Sequence, residues 1–231
     1  MWRTLAGEAS DDPASAKYRS ARARYQTAVY QRLLALQDID PVARIRQKMT
    51  RWQLAILRGP PPPGAGPRVY TPAWIAERVA RNFHLLRRNV APCVVAACWS
   101  TIWNRWATER RWQRRTGSFN RCRCGCPAPA EDSIEHYSRC PVTRDLAVRR
   151  LRFTPHQDWA RLFMLCDMGT REVHFLAKAA LLVYSVSRTV QSISVEAPWR
   201  PETAFDAMES HLLYGSDGHR YTRRIMATLW T

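Results

Sequence analysis

Residues 170–193 read TREVHFLAKAALLVYSVSRTVQSI, and this stretch decides the fold class. Its apolar side chains recur at helical spacing, which predicts one long helix from Thr170 to about Ile193. A helix that is apolar nearly all round must be surrounded by other elements, so we expect it at the centre of the core. The side chains that carry this pattern are Phe175, Leu176, Ala179, Ala180, Leu182, Val183 and Val186.

Helical signals also dominate the sequence on both sides of this stretch. Asp40-Pro41, Thr71-Pro72 and Ala91-Pro92 are typical helix starts, because a proline suits the first helical turn. No alternating strand pattern of useful length appears, so the sequence predicts an all-α fold. Apart from the central helix, helices are predicted over about residues 15–36, 40–57, 71–88, 91–115, 143–151, 156–165, 202–213 and 220–229, with a break at 215–218.

The composition divides the chain into five segments. A basic helical segment, 1–58, is followed by a Pro/Gly-rich linker, 59–70, which contains four consecutive prolines and cannot be helical. A basic and tryptophan-rich helical pair occupies 71–116, and a cysteine-rich module occupies 117–145. A C-terminal helical region, 146–231, completes the chain.

The chain is strongly basic, with 36 Lys plus Arg against 19 Asp plus Glu and a net charge of +17. Residues 71–121 alone carry ten basic and two acidic side chains. This imbalance excludes the surface of a typical neutral cytosolic enzyme and predicts a polyanionic partner, with RNA or DNA first. The predicted nucleic-acid contacts are the arginines that lead into the cysteine-rich module: Arg105, Arg110, Arg111, Arg114, Arg115, Arg121 and Arg123.

Two observations bear on the compartment. The N-terminus has no apolar run of the kind that a signal peptide needs. The longest apolar stretch, 90–103, is too short to cross a bilayer and indicates a buried helix. We therefore expect an intracellular protein, nuclear or cytoplasmic rather than secreted, with no membrane partner. Seven cysteines in such a protein favour metal binding or free thiols over disulfides.

The first half of a zinc site is visible in the cysteine-rich module. Cys122 and Cys126 enclose three residues, and Gly125 supplies the tight backbone that two ligands on one turn require. Cys124 lies between them, so the pairs Cys122/Cys124 and Cys124/Cys126 also remain open. We favour the outer pair, because a one-residue spacer leaves little room for the turn.

The second half is a short helical turn predicted over residues 133–139, with Asp132 or Ser133 as its cap. His136 and Cys140 are four residues apart, which places them on the same face of this turn. We therefore predict one zinc ion held by Cys122, Cys126, His136 and Cys140. Because four protein ligands fill the tetrahedron, the predicted site is structural rather than catalytic.

The sequence IWNRWATERRWQ stands at residues 102–113, before the Cys-x3-Cys pair, and EDSIEHY stands at 131–137, before Cys140-Pro141. Together these motifs resemble the C-terminal region of LINE-type (non-long-terminal-repeat) retrotransposon polyproteins, where a zinc-knuckle-like segment follows the reverse transcriptase thumb. The resemblance implies that the chain's first segment is thumb-like or a linker and that a reverse transcriptase domain precedes it in a longer polyprotein. It also implies that the region around the knuckle faces RNA or DNA, with zinc held by Cys122, Cys126, His136 and Cys140.

The catalytic residues of that family are missing. Polymerisation needs paired aspartates that hold two metal ions, and the only adjacent pair, Asp11-Asp12, is followed by a proline. We therefore predict a zinc-containing, nucleic-acid-binding fragment that is not an enzyme. Two alternatives remain: a zinc-stabilised helical module that binds an acidic protein, and a metal-dependent nuclease, for which no acidic cluster is present.

Overall fold

A computed structural model describes residues 24–26, 28–29, 32, 41–51, 72–106, 108, 121–126, 131–155, 159–166, 173–194, 197 and 199–217. The chain divides into two compact units, Met1–Arg44 and Ile45–Thr231. The described residues form helices and turns and no strand, so the predicted all-α fold is confirmed. The finer division into five segments stays a prediction.

Eight helices have their bounds within the described ranges, and the first of them spans the boundary between the two units. In chain order they are α1 (Pro41–Arg51), α2 (Pro72–Asn89), α3 (Pro92–Ile102), α4 (Ile134–Arg139), α5 (Pro141–Arg149), α6 (Trp159–Phe163), α7 (Val173–Ser192) and α8 (Pro201–Asp217).

Five of these eight helices begin with a proline. Proline has no N–H to donate and a fixed φ, so the first helical turn is where it costs least. The helix starts predicted at Pro41, Pro72 and Pro92 are therefore confirmed. The two helices predicted from about 143 and 202 begin slightly earlier, also at a proline.

Helix α7 is the central element of the second unit. It packs against α2, α3, α5, α6 and α8. Side chains on its opposite sides, such as Leu181 and Val183, are buried, as the apolar pattern predicted. Even so, no helix among the described residues is long and apolar enough to cross a membrane.

The helix predicted over 91–115 ends at Ile102, so this boundary is wrong. Asn104 adopts a left-handed backbone with φ 50, and the chain turns there so that Trp106 is fully buried. The indole Nε1 of Trp106 donates a hydrogen bond to Thr101 Oγ1 at 3.1 Å. Burying a large aromatic ring whose N–H has a hydrogen-bond acceptor stabilises the protein more than further residues in the helix would. After Ile102, the structure describes residues 103–106 and Thr108 of the predicted helix, and the rest of it lies outside the described residues.

The predicted break at residues 215–218 is also wrong in its position, because α8 continues to Asp217. One glycine inside a helix costs only about 1 kcal/mol relative to alanine, which is too little to end a helix by itself. The last predicted helix, 220–229, lies outside the described residues, as does the predicted end of the second helix at 52–57.

Adjacent leucines on α8 provide a matched test of its packing. Leu212 is fully buried, whereas the side chain of Leu213 is 45% exposed. We expect Leu212→Ala to lower the free energy of unfolding by about 3 kcal/mol, because it leaves a cavity in the core. Leu213→Ala should change it by about 0.5 kcal/mol or less. Urea denaturation measures both values, and equal losses would contradict this assignment of the buried face.

Candidate metal centre

Four side chains from two separate turns converge near the start of α5. The ligand atoms of Cys122, Cys126, His136 and Cys140 all lie within 4.8 Å of one another, a group that could hold a metal ion. These are the four residues that the spacing predicted, with the outer cysteine pair. Cys122 and Cys140 are buried, and the other two ligands are half-buried.

The distances between the ligand atoms fit a small tetrahedral ion. Bonds of about 2.3 Å to sulfur and 2.0–2.1 Å to nitrogen give tetrahedral edges of about 3.8 Å between two sulfurs and 3.6 Å between sulfur and nitrogen. The Cys122 and Cys140 sulfurs are 3.9 Å apart, and Cys126 Sγ is 3.7 Å from His136 Nε2. Cys126 Sγ and Cys140 Sγ are closer, at 3.1 Å. Two of these three distances match the tetrahedral edges, and the third is about 0.7 Å shorter than the sulfur–sulfur edge.

The first two ligands lie on a tight turn that requires a glycine. Gly125 N donates to Cys122 O at 3.1 Å, and the backbone of Gly125 is left-handed, with φ 71. A Cβ atom at this position would also overlap the carbonyl oxygen of Trp199. The turn therefore presses directly against the segment that leads into α8.

We expect Gly125→Ala to lower the free energy of unfolding by about 2 kcal/mol. The left-handed conformation is costly for a residue with a Cβ, and the backbone of Trp199 must also move. Thermal unfolding of the metal-loaded protein measures the effect. Ala207→Gly, which places a helix-weakening change inside α8 away from the turn, should cost about 1 kcal/mol. A Gly125→Ala protein as stable as the natural chain would contradict this account of the turn.

The other two ligands are fixed by a short helix and the proline that follows it. Ser133 caps α4 by accepting a hydrogen bond from His136 N at 3.2 Å, as expected from the sequence. Cys140 is extended, with φ −53 and ψ 132, and ends α4 while capping α5. The ring of Pro141 disfavours a helical residue before it, so it fixes the backbone of this ligand.

The thiols of the site shift one another's pKa values strongly. Hydrogen bonds with Cys124 and Cys126 lower the pKa of Cys122 to about 6, and hydrogen bonds with Cys122 and Cys124 hold the pKa of Cys140 far below its usual range. The pKa of Cys126 is raised, chiefly by its hydrogen bond with Cys122. Because the thiolate is the form that binds a metal, a cation bound at this site must displace the proton of Cys126.

The pKa of His136 reflects two opposing effects. Burial lowers it, but hydrogen bonds to the Cys122 and Cys140 thiolates outweigh burial and raise it to about 9. The imidazole is therefore a proton donor to the thiolates until a metal ion replaces that proton. A neutral imidazole is the form that binds a metal.

Cys124 lies beside the four-ligand group rather than in it. Its side chain is completely buried. The neighbouring thiols of Cys122 and Cys140, together with burial, raise the pKa of Cys124. This shift favours the neutral thiol at Cys124.

Arg123, between the first two thiols, is buried rather than exposed. Its guanidinium forms an ion pair with Asp132 at 2.9 Å, and its Nη1 donates to Val190 O and Ile193 O at 3.2 Å. A guanidinium enclosed in this way cannot reach a phosphate on the surface. The prediction that Arg123 contacts nucleic acid is therefore wrong.

The same ion pair belongs to a buried polar network that joins the two halves of the metal centre. Tyr137 OH donates to Asp132 Oδ1 at 2.6 Å and accepts from Arg123 N at 3.3 Å. Arg123 O in turn accepts from Trp199 N at 2.9 Å. Sequence reasoning missed this network, because no local spacing pairs Arg123 with Asp132 or Tyr137, and the acceptors Val190 and Ile193 lie 67 and 70 residues later in the chain.

Among the other predicted nucleic-acid contacts, Arg105 and Arg121 are described and both are exposed. Arg110, Arg111, Arg114 and Arg115 lie outside the described residues.

No family model, curated protein or solved structure matches the chain. The resemblance to LINE-type polyproteins stays a prediction.

Proposed function

We propose that the chain is a zinc-stabilised helical module that binds RNA or DNA through phosphate groups and has no catalytic residues of its own. We further propose that it derives from the C-terminal region of a LINE-type polyprotein, with a reverse transcriptase domain upstream. The observation that carries the proposal is the convergence of Cys122, Cys126, His136 and Cys140 on one point.

Zinc is the ion that this donor set favours. Three thiolates and one imidazole are soft and borderline ligands, which select Zn²⁺ over hard cations such as Mg²⁺ and Ca²⁺. Four protein ligands leave no open position for water or substrate, so the ion stabilises structure instead of supplying chemistry. Arg123, between the ligands Cys122 and Cys126, is hydrogen-bonded to Val190 O and Trp199 N, so the metal turn is joined to the helical core.

The net charge of +17 supports a nucleic-acid partner. The basic segment leading into the metal turn is bounded by Arg105 and Arg121, both of which are exposed. Arg110, Arg111, Arg114 and Arg115 lie between them in the sequence. Arginine binds phosphate oxygens through two parallel hydrogen bonds, so these six residues form the proposed contact segment.

Binding through phosphates has a measurable salt dependence. Log affinity falls by about 0.7–0.9 per phosphate contact for each tenfold rise in salt, so four or five contacts give a slope of roughly −3 to −4.5. We expect simultaneous replacement by alanine at four positions to flatten this slope and to weaken binding about equally for all sequences. Fluorescence anisotropy with labelled RNA and single-stranded DNA measures it. The four positions are Arg110, Arg111, Arg114 and Arg115.

A control variant removes three exposed charges from α2, at Arg81, Arg87 and Arg88. These residues lie outside the proposed contact segment, so their replacement by alanine should change the slope by less than about 1. If the quadruple variant keeps the natural slope, the contact segment is wrong, and an acidic protein becomes the favoured partner.

A further inference from the structure

The outward face of α3 carries no charged side chain. The opposite face of this helix packs against α7, where Cys98 Sγ donates to Ala180 O at 3.8 Å. The side chains that remain at the surface recur at three- and four-residue spacing, so they form one stripe along the helix and its C-cap. In this stripe, which we call the α3 face, Pro92, Cys93 and Ala96 are exposed, and Trp99, Ser100 and Trp103 are half-buried.

An uncharged face stands out in a chain with a net charge of +17. The neighbouring helix α2, by contrast, exposes Glu77, Arg81, Arg87 and Arg88. Single apolar side chains at a surface are ordinary, but a continuous uncharged patch that includes large aromatic rings is typical of a binding surface. The α3 face therefore indicates contact with another molecule.

Two tryptophans form the end of this face. The indole rings of Trp99 and Trp103 meet edge to face, with centroids 4.7 Å apart. Phe83 of α2 stacks on Trp99, with centroids 4.0 Å apart and 17° between the ring planes, so one face of Trp99 is already covered. Within the described residues, Trp103 has no aromatic neighbour other than Trp99, and neither indole N–H has a hydrogen-bond acceptor.

An arginine adjoins the tryptophan pair. Trp103 N donates to Trp99 O at 3.0 Å, and Arg105 N donates to Ser100 O at 2.7 Å, so the chain folds back over the last turn of α3. The side chain of Arg105 is exposed, and no carboxylate of the described residues forms an ion pair with it. Since Arg105 is also the first residue of the proposed contact segment, the uncharged rings lie directly beside the start of the phosphate-binding arginines.

We propose that the α3 face binds unpaired bases of single-stranded RNA or DNA, with Trp103 as the stacking ring and Arg105 on an adjoining phosphate. Trp103 has this role because Phe83 already covers one face of Trp99. Every nucleobase has a π-face, so aromatic rings bind single strands with little dependence on sequence. The inference rests on the proposed function and deepens it, from binding of phosphates to recognition of unpaired bases.

A strand without bases isolates the contribution of stacking. The probes are a labelled single-stranded oligodeoxynucleotide and an abasic strand of the same length, which has the same number of phosphates. With the full metal-loaded chain, we expect the strand with bases to bind about tenfold more tightly, as one stacked base would give. Fluorescence anisotropy measures both affinities, and their salt slopes should be similar because the phosphate contacts are the same.

Replacements of Trp103 separate stacking from general apolar contact. Trp103→Leu keeps an apolar side chain but removes the ring, so the preference for the strand with bases should disappear. Trp103→Phe keeps an aromatic face and should lower the preference about threefold or less. Both variants should bind the abasic strand as the natural chain does, which shows that they remain folded.

Trp74→Leu is the matched control. Trp74 is also a half-buried tryptophan, but it lies at the start of α2. The guanidinium of Arg78 already lies over its ring, 4.9 Å from the centroid. Its replacement should change the preference for bases less than about twofold.

Three outcomes overturn the proposal: equal binding of the two strands by the natural chain, a preference that persists in Trp103→Leu, or equal losses in Trp103→Leu and Trp103→Phe. A second copy of the chain is the other occupant to test. Sedimentation without nucleic acid that shows a dimer, converted to a monomer by Trp103→Leu, would assign the α3 face to that contact and overturn the proposal as well.

Failure of the proposed function gives different results. If neither strand binds, both proposals are wrong. If the strands bind but replacing the four arginines leaves the salt slope unchanged, the contact segment alone is wrong, because the preference for bases is measured at equal phosphate content.

Discussion

The Cys140→Ser variant is expected to lose its zinc and about 5 kcal/mol or more of unfolding free energy, because structural zinc sites bind with apparent free energies of about 10–16 kcal/mol. Cys140 lies at the centre of the site, with its sulfur 3.1 Å from that of Cys126 and 3.9 Å from that of Cys122. It also joins α4 to α5, so its loss frees both helix ends.

Native mass spectrometry with and without a chelator counts the bound ion, and urea denaturation measures the stability. Cys124→Ser is the matched control, since this thiol is equally buried but lies outside the four-ligand group. The control should retain one zinc per chain. Metal loss from Cys124→Ser, with retention in Cys140→Ser, would mean that the ligand set is wrong.

Asp132→Ala is expected to lower the free energy of unfolding by about 3–5 kcal/mol. The reason is that it removes the carboxylate that pairs with the buried guanidinium of Arg123. The hydroxyl of Tyr137 loses its acceptor in the same variant. Asp145→Ala breaks an ion pair of similar length, but that pair is largely exposed and should contribute only about 0–1 kcal/mol.

Chemical denaturation of the two aspartate variants gives the comparison directly. Replacing both partners, as in Arg123→Met with Asp132→Leu, should recover part of the loss, since no unpaired charge then remains buried. The recovery is incomplete because the carbonyls of Val190 and Ile193 lose their donor. If Asp132→Ala costs no more than Asp145→Ala, the network contributes nothing to stability.

The features that the sequence predicted correctly are those with a short-range pattern. The central helix was predicted over 170–193 and is described over Val173–Ser192, because a helix buried on all sides has an unmistakable apolar run. The four ligands were predicted because metal coordination fixes their types and spacing. The cap at Ser133 was predictable for a similar reason, because it depends only on residues within one helical turn.

The features that were missed depend on contacts that no local sequence pattern encodes. Arg123 was assigned to the surface because arginine is rarely buried without a partner, and its partner Asp132 is recognisable only after folding. The helix predicted to reach Arg115 ends at Ile102, because Trp106 packs against Tyr137 and Phe163 from later elements. Tertiary packing overrides local helix propensity at that point.

The hydrogen bonds of Arg123 with the end of α7 also couple the stability of that helix end to the metal turn. The last carbonyl groups of a helix have no partners inside the helix, and here two acceptors near that end, Val190 O and Ile193 O, receive theirs from a side chain 67 and 70 residues earlier. A protein without the metal turn lacks this donor, so we expect the final turn of the central helix to fray more often in that state and its amide hydrogens to exchange faster than in the metal-loaded protein.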